Sequence, residues 1–173
     1  VFKWAKELGG DKLGLLALAI FAFSPVLIAN GGLVTTDIGA ALGAVVATYF
    51  WLKFLKGPKK TSVILAGLFF GLAMLMKFSL ILLVPFFGII TIIYPLLNCQ
   101  TEKLKKTVRY ILSAFAAGLI GFLFVVWPVY QFHIWNYPAD HQVRDTSADL
   151  APNKLKTAKN AVLWMADKPM LRP

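Results

Sequence analysis

Apolar stretches close to the length needed to cross a lipid bilayer recur five times in this chain, and that recurrence restricts its fold more than any other feature. A transmembrane helix needs roughly 20 mostly apolar residues, about 17 at the short end, to cross about 30 Å of hydrocarbon. The stretches run from Leu13 to about Ala29, from about Asp37 to Leu55, from Thr61 to Met76, from Phe78 to Leu97 and from about Val108 to Tyr130. Ser24-Pro25 marks a kink in the first, and Asn30-Gly31-Gly32 ends it. The second finishes in Tyr49-Phe50-Trp51, aromatic residues of the kind that collect at the water interface. The third has only about 16 residues and falls short of a full crossing, and the fourth contains Pro85 and Pro95. The expected fold class is all-α: a polytopic transmembrane helix bundle of about five crossing helices over residues 1–130, with an outer interfacial helix beyond it.

Composition agrees. Of the 173 residues, 58% are hydrophobic, against about 45–50% in a soluble domain. Thirteen glycines without a period and the single cysteine, Cys99, exclude a collagen-like chain and a disulfide-stapled scaffold. The net charge of +10 suggests nucleic acid only if the cations form one face, and they do not. Lys3, Lys6 and Lys12 precede the first span; Lys53, Lys56, Lys59 and Lys60 follow the second; Lys103, Lys105, Lys106 and Arg109 separate the fourth from the fifth. The alternate connections hold one cation, Lys77. Short cytoplasmic loops carry an excess of Lys and Arg, so Val1 is expected inside, Cys99 in an inside loop, and residues 131–173 outside the cell membrane. Topology thus accounts for the charge, and no nucleic-acid partner is expected. The chain opens at Val1 and stops after Leu171-Arg172-Pro173, and it reads as an internal piece of a longer polypeptide.

Small residues recur at packing distance in Gly39/Gly43, Gly67/Gly71 and Ala114/Gly118, a spacing that lets helix backbones approach closely in lipid. Beyond the last span, Phe132-His133-Ile134-Trp135-Asn136-Tyr137 continues an aromatic belt, and Pro138 to Pro152 is polar and turn-rich. Asn153 then opens a helical pattern over about 153–166 that places Leu155, Ala158, Val162 and Met165 on one face. It reads as a helix lying on the outer leaflet, or as one packed against an extracytoplasmic domain.

Two ionisable residues belong to the hydrophobic architecture itself. Asp37 opens the second span, and Lys77 separates the third from the fourth. Both are expected at the outer face, brought to one depth by separate helical hairpins, as parts of one polar site. Asp37 can simply cap its helix, worth about 0.3–1 kcal/mol, or orient a sugar hydroxyl, hold a divalent cation or accept a proton. Lys77 can anchor at the headgroups or hold a lipid-linked phosphate. His133, Asp140, His141, Arg144 and Asp145 cluster after the fifth span and offer metal or phosphate contacts, but their spacing matches no defined zinc pattern.

Ser24-Pro25, Val34-Thr35-Thr36-Asp37 and Gly67-Leu68-Phe69-Phe70-Gly71-Leu72-Ala73-Met74-Leu75-Met76-Lys77-Phe78 stand in an order that resembles the dolichyl-phosphate-mannose protein mannosyltransferases. These are membrane glycosyltransferases of the GT-C type, with bacterial relatives and the lipid A aminoarabinose transferases. The resemblance covers roughly residues 1–130. It implies an enzyme that moves a sugar from a polyprenyl-phosphate donor to a protein, lipid or glycan acceptor at the outer membrane face, with the lipid-linked sugar phosphate and membrane lipids as partners. It makes Asp37 an accessory acidic residue that orients donor or acceptor, and Lys77 the cation near the lipid phosphate. Arg144 or a divalent metal ion is expected to assist Lys77 with the leaving phosphate. The family's principal catalytic acid lies upstream of Val1, so the chain alone is expected to be inactive. A transporter or flippase is the competing expectation, although transporter sites usually lie near the bilayer midplane rather than at its edge.

Overall fold

The computed structural model describes residues 1–32, 36–98, 102–135, 141 and 144. Among these residues the secondary structure is helical, with no strand. The chain divides into two compact units at Trp127/Pro128.

In the first unit, α1 (Phe2–Ala22) is broken at Gly9 and Gly10 and leads to α2 (Pro25–Gly31). Gly10 has φ +79° and ψ −175°, a conformation essentially confined to glycine. The break separates an amino-terminal arm from the apolar part of α1. Pro25 sits at the first turn of α2, where its missing N–H costs nothing, and the two helices meet at a 51° bend. The kink expected at Ser24-Pro25 is therefore a full break.

α3 (Asp37–Lys56) carries Asp37 in its first turn and Lys53 and Lys56 in its last, the arrangement the helix dipole favours. Gly57 and Pro58 end it, and α4 (Lys60–Met76) returns alongside. Lys77 is extended and breaks the chain before a 3₁₀ turn, Phe78–Leu82, and α5 (Leu83–Asn98). α6 (Lys103–Gly121) continues through a π-helical turn, Phe122–Val126, into α7 (Trp127–Ile134). Described by itself, the second unit comprises the helical residues from Pro128 and, further on, His141 and Arg144. The amphipathic helix expected at 153–166 lies outside the described residues.

Among the described residues, three helical stretches are long and apolar enough to cross a membrane: Asp37–Lys56, Phe78–Asn98 and Lys103–His133. The bent pair α1/α2 makes a fourth if it is one span. α4, at 17 residues, is the short one, as its sequence indicates.

The bundle is packed on small residues. Gly43 of α3 meets Ala73 and Met76 of α4. A side chain at Gly71 of α4 would lie 2.6 Å from the Gly121 carbonyl oxygen and 2.9 Å from Val125 Cβ, so α4 and α6 touch backbone to backbone. The α6 stripe at this contact is Ala117/Gly121, not the Ala114/Gly118 pair marked in the sequence; Gly118 faces open space. Three positions at about 100° per residue place the true stripe about 60° around the helix.

Large apolar residues mostly face outward, including Phe78, Phe124, Leu112 and Leu16. That distribution suits a lipid surround, where burying Leu against Leu gains nothing and close backbone packing does. The buried aromatic exceptions lie at the end of α3. Trp51 stacks on Phe87 at 4.5 Å and donates its indole N–H to the Thr91 hydroxyl at 3.1 Å. Thr91 in turn donates to the Phe87 carbonyl, so the buried polar atoms are satisfied. Tyr49 and Trp51 are buried, and Phe50 stacks on Phe69 of α4 at 4.2 Å. Tyr49-Phe50-Trp51 is thus a packing cluster, with ring partners from α1, α4 and α5.

Candidate functional site

Asp37 and Lys77 meet. The Lys77 ammonium donates to the Asp37 carboxylate in an ion pair between the first residue of α3 and the residue just past α4. Local structure on each side sets up the contact. α3 must begin at Asp37 to place a carboxylate at its positive end, and the extended backbone at Lys77 turns its side chain off the end of α4. Both side chains remain about half exposed, at 54% and 41%, so the pair is accessible to a ligand.

An apolar groove of about 140 Å³ runs along the same α3/α4 seam, lined by Leu42, Gly43, Val46, Phe69, Leu72 and Met76 among others. Met76 precedes Lys77 in the chain, and its sulfur lies close to the Gly39 position. The ion pair therefore sits at the head of the groove. A paired cation and anion above an apolar channel can hold an amphiphile by its charged end.

The other expected participants fall in the second unit or outside the described residues. His133 is an exposed residue of α7, and His141 and Arg144 are exposed helical residues of the second unit. Asp140 and Asp145 lie outside the described residues. Among the described residues no three of His, Cys, Asp and Glu come together, so the expected divalent ion finds no ligand set there and no chemical step is routed through one.

A second polar cluster, not anticipated from the sequence, lies at the other end of α3. Glu7, on the arm of α1, accepts from the Tyr49 hydroxyl at 2.6 Å and from the Lys53 ammonium at 3.1 Å. The Lys53 ammonium also lies 4.6 Å from the Tyr49 ring centroid, a cation–π contact. These interactions, the Tyr49 hydroxyl foremost and Lys53 next, hold the Glu7 carboxyl below the usual carboxylate range. Partners 42 and 46 residues away leave no local signal. The one hint is Gly9-Gly10, which lets the arm fold back.

Helices packed on glycine and alanine, apolar outer faces and an ion pair closing one end of a hairpin define a polytopic membrane protein with one polar site at the head of its α3/α4 seam. Residues 1–127 match the family model described as dolichyl-phosphate-mannose-protein mannosyltransferase. The chain belongs to that family, and with it to the mannosyltransferase-like membrane glycosyltransferases. Neither a curated protein nor a solved structure matches the chain significantly.

Proposed function

We propose that this protein transfers a sugar from a polyprenyl-phosphate donor to a protein, lipid or glycan hydroxyl at the outer face of the membrane. The observation that carries this reading is the Asp37–Lys77 ion pair, assembled from residues 40 positions apart at the head of an apolar groove. In the proposed topology residues 1–130 form the membrane region and 131–173 lie outside, with the amphipathic helix over about 153–166.

In this mechanism Lys77 exchanges part of its contact with Asp37 for the donor's phosphate. As the bond from the anomeric carbon to the phosphate oxygen breaks, the electron pair stays on the phosphate, and a fixed ammonium stabilises that charge where water is scarce. Asp37, released from full pairing, orients a hydroxyl of donor or acceptor. The acceptor oxygen forms the new bond and loses its proton to a base outside the residues assigned here. Arg144 is a second candidate for the departing phosphate.

The test uses membranes containing the full-length protein and a radiolabelled polyprenyl-phosphate sugar. Lys77→Ala is expected to weaken donor use by roughly 10- to 100-fold, the scale of one hydrogen bond to a charged group, with normal insertion. Asp37→Asn is expected to lower turnover more than donor affinity. Transfer from a panel of such donors that is absent in the wild type, or indifferent to Lys77, would overturn the proposal; counterflow measurements would then test transport.

A further inference from the structure

A second groove, of about 220 Å³, lies between the amino-terminal arm and α3, running from the middle of α3 at Val45 toward the end that carries Lys53. Its walls are Val45, Val46 and Phe50 on one side and Trp4 on the other, with Tyr49 and Lys3 completing it. The arm makes this groove. Glu7 ties it to Tyr49 and Lys53, and the Trp4 and Tyr49 rings lie 6.0 Å apart. We propose that the groove between the arm and α3 binds an anionic phospholipid of the adjacent leaflet, one acyl chain lying against Val45, Val46 and Phe50 and the phosphate meeting Lys3.

Size, lining and charge select this occupant. The volume is below the roughly 300–1,000 Å³ of pockets that enclose a drug-sized ligand, so the groove takes a segment of one chain and leaves the rest in the bilayer. The lining is apolar apart from Lys3 and the Tyr49 hydroxyl, and that hydroxyl is already donated to Glu7. The neighbouring cations Lys6 and Lys53 are neutralised by Asp11 and Glu7. Lys3 is exposed and, apart from a weaker attraction to Glu7, makes no ion pair among the described residues. A phosphate with an acyl chain beside it satisfies both the cation and the apolar walls. Trp4 belongs at the same level, since tryptophan concentrates at the headgroup boundary.

The full-length protein, reconstituted in nanodiscs of phosphatidylcholine, is irradiated with a trace of photoactivatable phosphatidylglycerol or of the matched phosphatidylcholine probe. Label on peptides covering residues 1–8 and 45–50 is then measured. The phosphatidylglycerol probe is expected to label them roughly fivefold more, the scale of one lysine's attraction to an anionic lipid, and Lys3→Gln is expected to remove that preference. Val45→Trp, which fills the groove from the α3 side and leaves the arm's anchoring residues alone, is expected to lower labelling by both probes. Equal labelling by the two probes, or a preference that survives Lys3→Gln, would overturn the proposal. Sugar transfer is not part of this readout, so its outcome stands apart from that of the donor site.

Discussion

Glu7 helps to hold the amino-terminal arm on α3, beside the ring contact between Trp4 and Tyr49. Glu7 is held below the ordinary carboxylate range by the Tyr49 hydroxyl and the Lys53 ammonium, with Lys3 also contributing attraction. A depressed carboxyl stabilises the folded arrangement at pH above that range, and the contribution disappears as pH falls through the lowered value. Tyrosine and lysine titrate well above that range, so within the Glu7–Tyr49–Lys53 cluster it is Glu7 that changes charge in acid. With spin labels on the exposed residues Leu8 and Lys56, the interlabel distance is expected to be narrow at neutral pH and to broaden and lengthen as pH falls below the ordinary carboxylate range. Glu7→Ala should give the broad distribution at every pH, and a distance unaffected by acid would show that Glu7 does not anchor the arm. The Asp37–Lys77 pair is as exposed as the Glu7–Lys53 pair and lacks the additional bond that the Tyr49 hydroxyl gives Glu7. Half-exposed pairs contribute only about 0–1 kcal/mol, so replacing either residue should leave folding intact. These two residues were legible in the sequence because each interrupts an otherwise apolar pattern. Glu7 and Lys53 were not, because each stands where a loop charge is expected.

Helix contacts depend on which small residues face a neighbour. Gly71 sits against Gly121 and Val125 with no room for a Cβ, whereas Gly118 has open space. Gly71→Val forces α4 away from α6 and is expected to cost roughly 1–3 kcal/mol, the usual penalty of overpacking. Gly118→Ala should be neutral or slightly stabilising. Thermal unfolding of the two variants in detergent checks the difference; equal stability would mean that α4 and α6 are not in backbone contact. Both glycines belong to spacings visible in the sequence, but the rotation of α6 turns Gly118 away from α4 and sets Gly121 against Gly71. Periodicity indicates that a helix has a small-residue stripe, but the partner selects the stripe that is used. The aromatic run Tyr49-Phe50-Trp51 teaches the same lesson. Residue type indicates the headgroup boundary, and the partners Phe69, Phe87 and Thr91 add a packing role that residue type does not specify.

At the scale of the molecule, the ion pair bears on how many times the chain crosses the membrane. α4 has 17 residues, about 25 Å at 1.5 Å per residue, a little less than the hydrocarbon thickness. Its two ends nevertheless coincide with those of α3: Gly57 and Pro58 join them at one end, and Asp37 meets Lys77 at the other. If α3 crosses, α4 covers the same depth. Lys53 lies about 24 Å along α3 from Asp37 at that rise, so the two polar clusters belong at opposite boundaries. With α1/α2 as one broken span and α4 counted as a crossing, the proposed topology has five crossings, against three or four helices long and apolar enough among the described residues, and it expects Cys99 and Ser147 on opposite sides. Cys99 is the sole cysteine, which makes the arrangement directly measurable. A membrane-impermeant maleimide added to intact cells is expected to leave Cys99 unlabelled until the membrane is permeabilised. In a Cys99→Ser background, Ser147→Cys is expected to react in intact cells. If Cys99 reacts first and Cys at 147 does not, the bundle is inverted, Asp37 and Lys77 face the cytoplasm, and the donor must be engaged from that side. If both react or both are protected, the crossings between them are even in number and α6 with its continuation does not form a complete span.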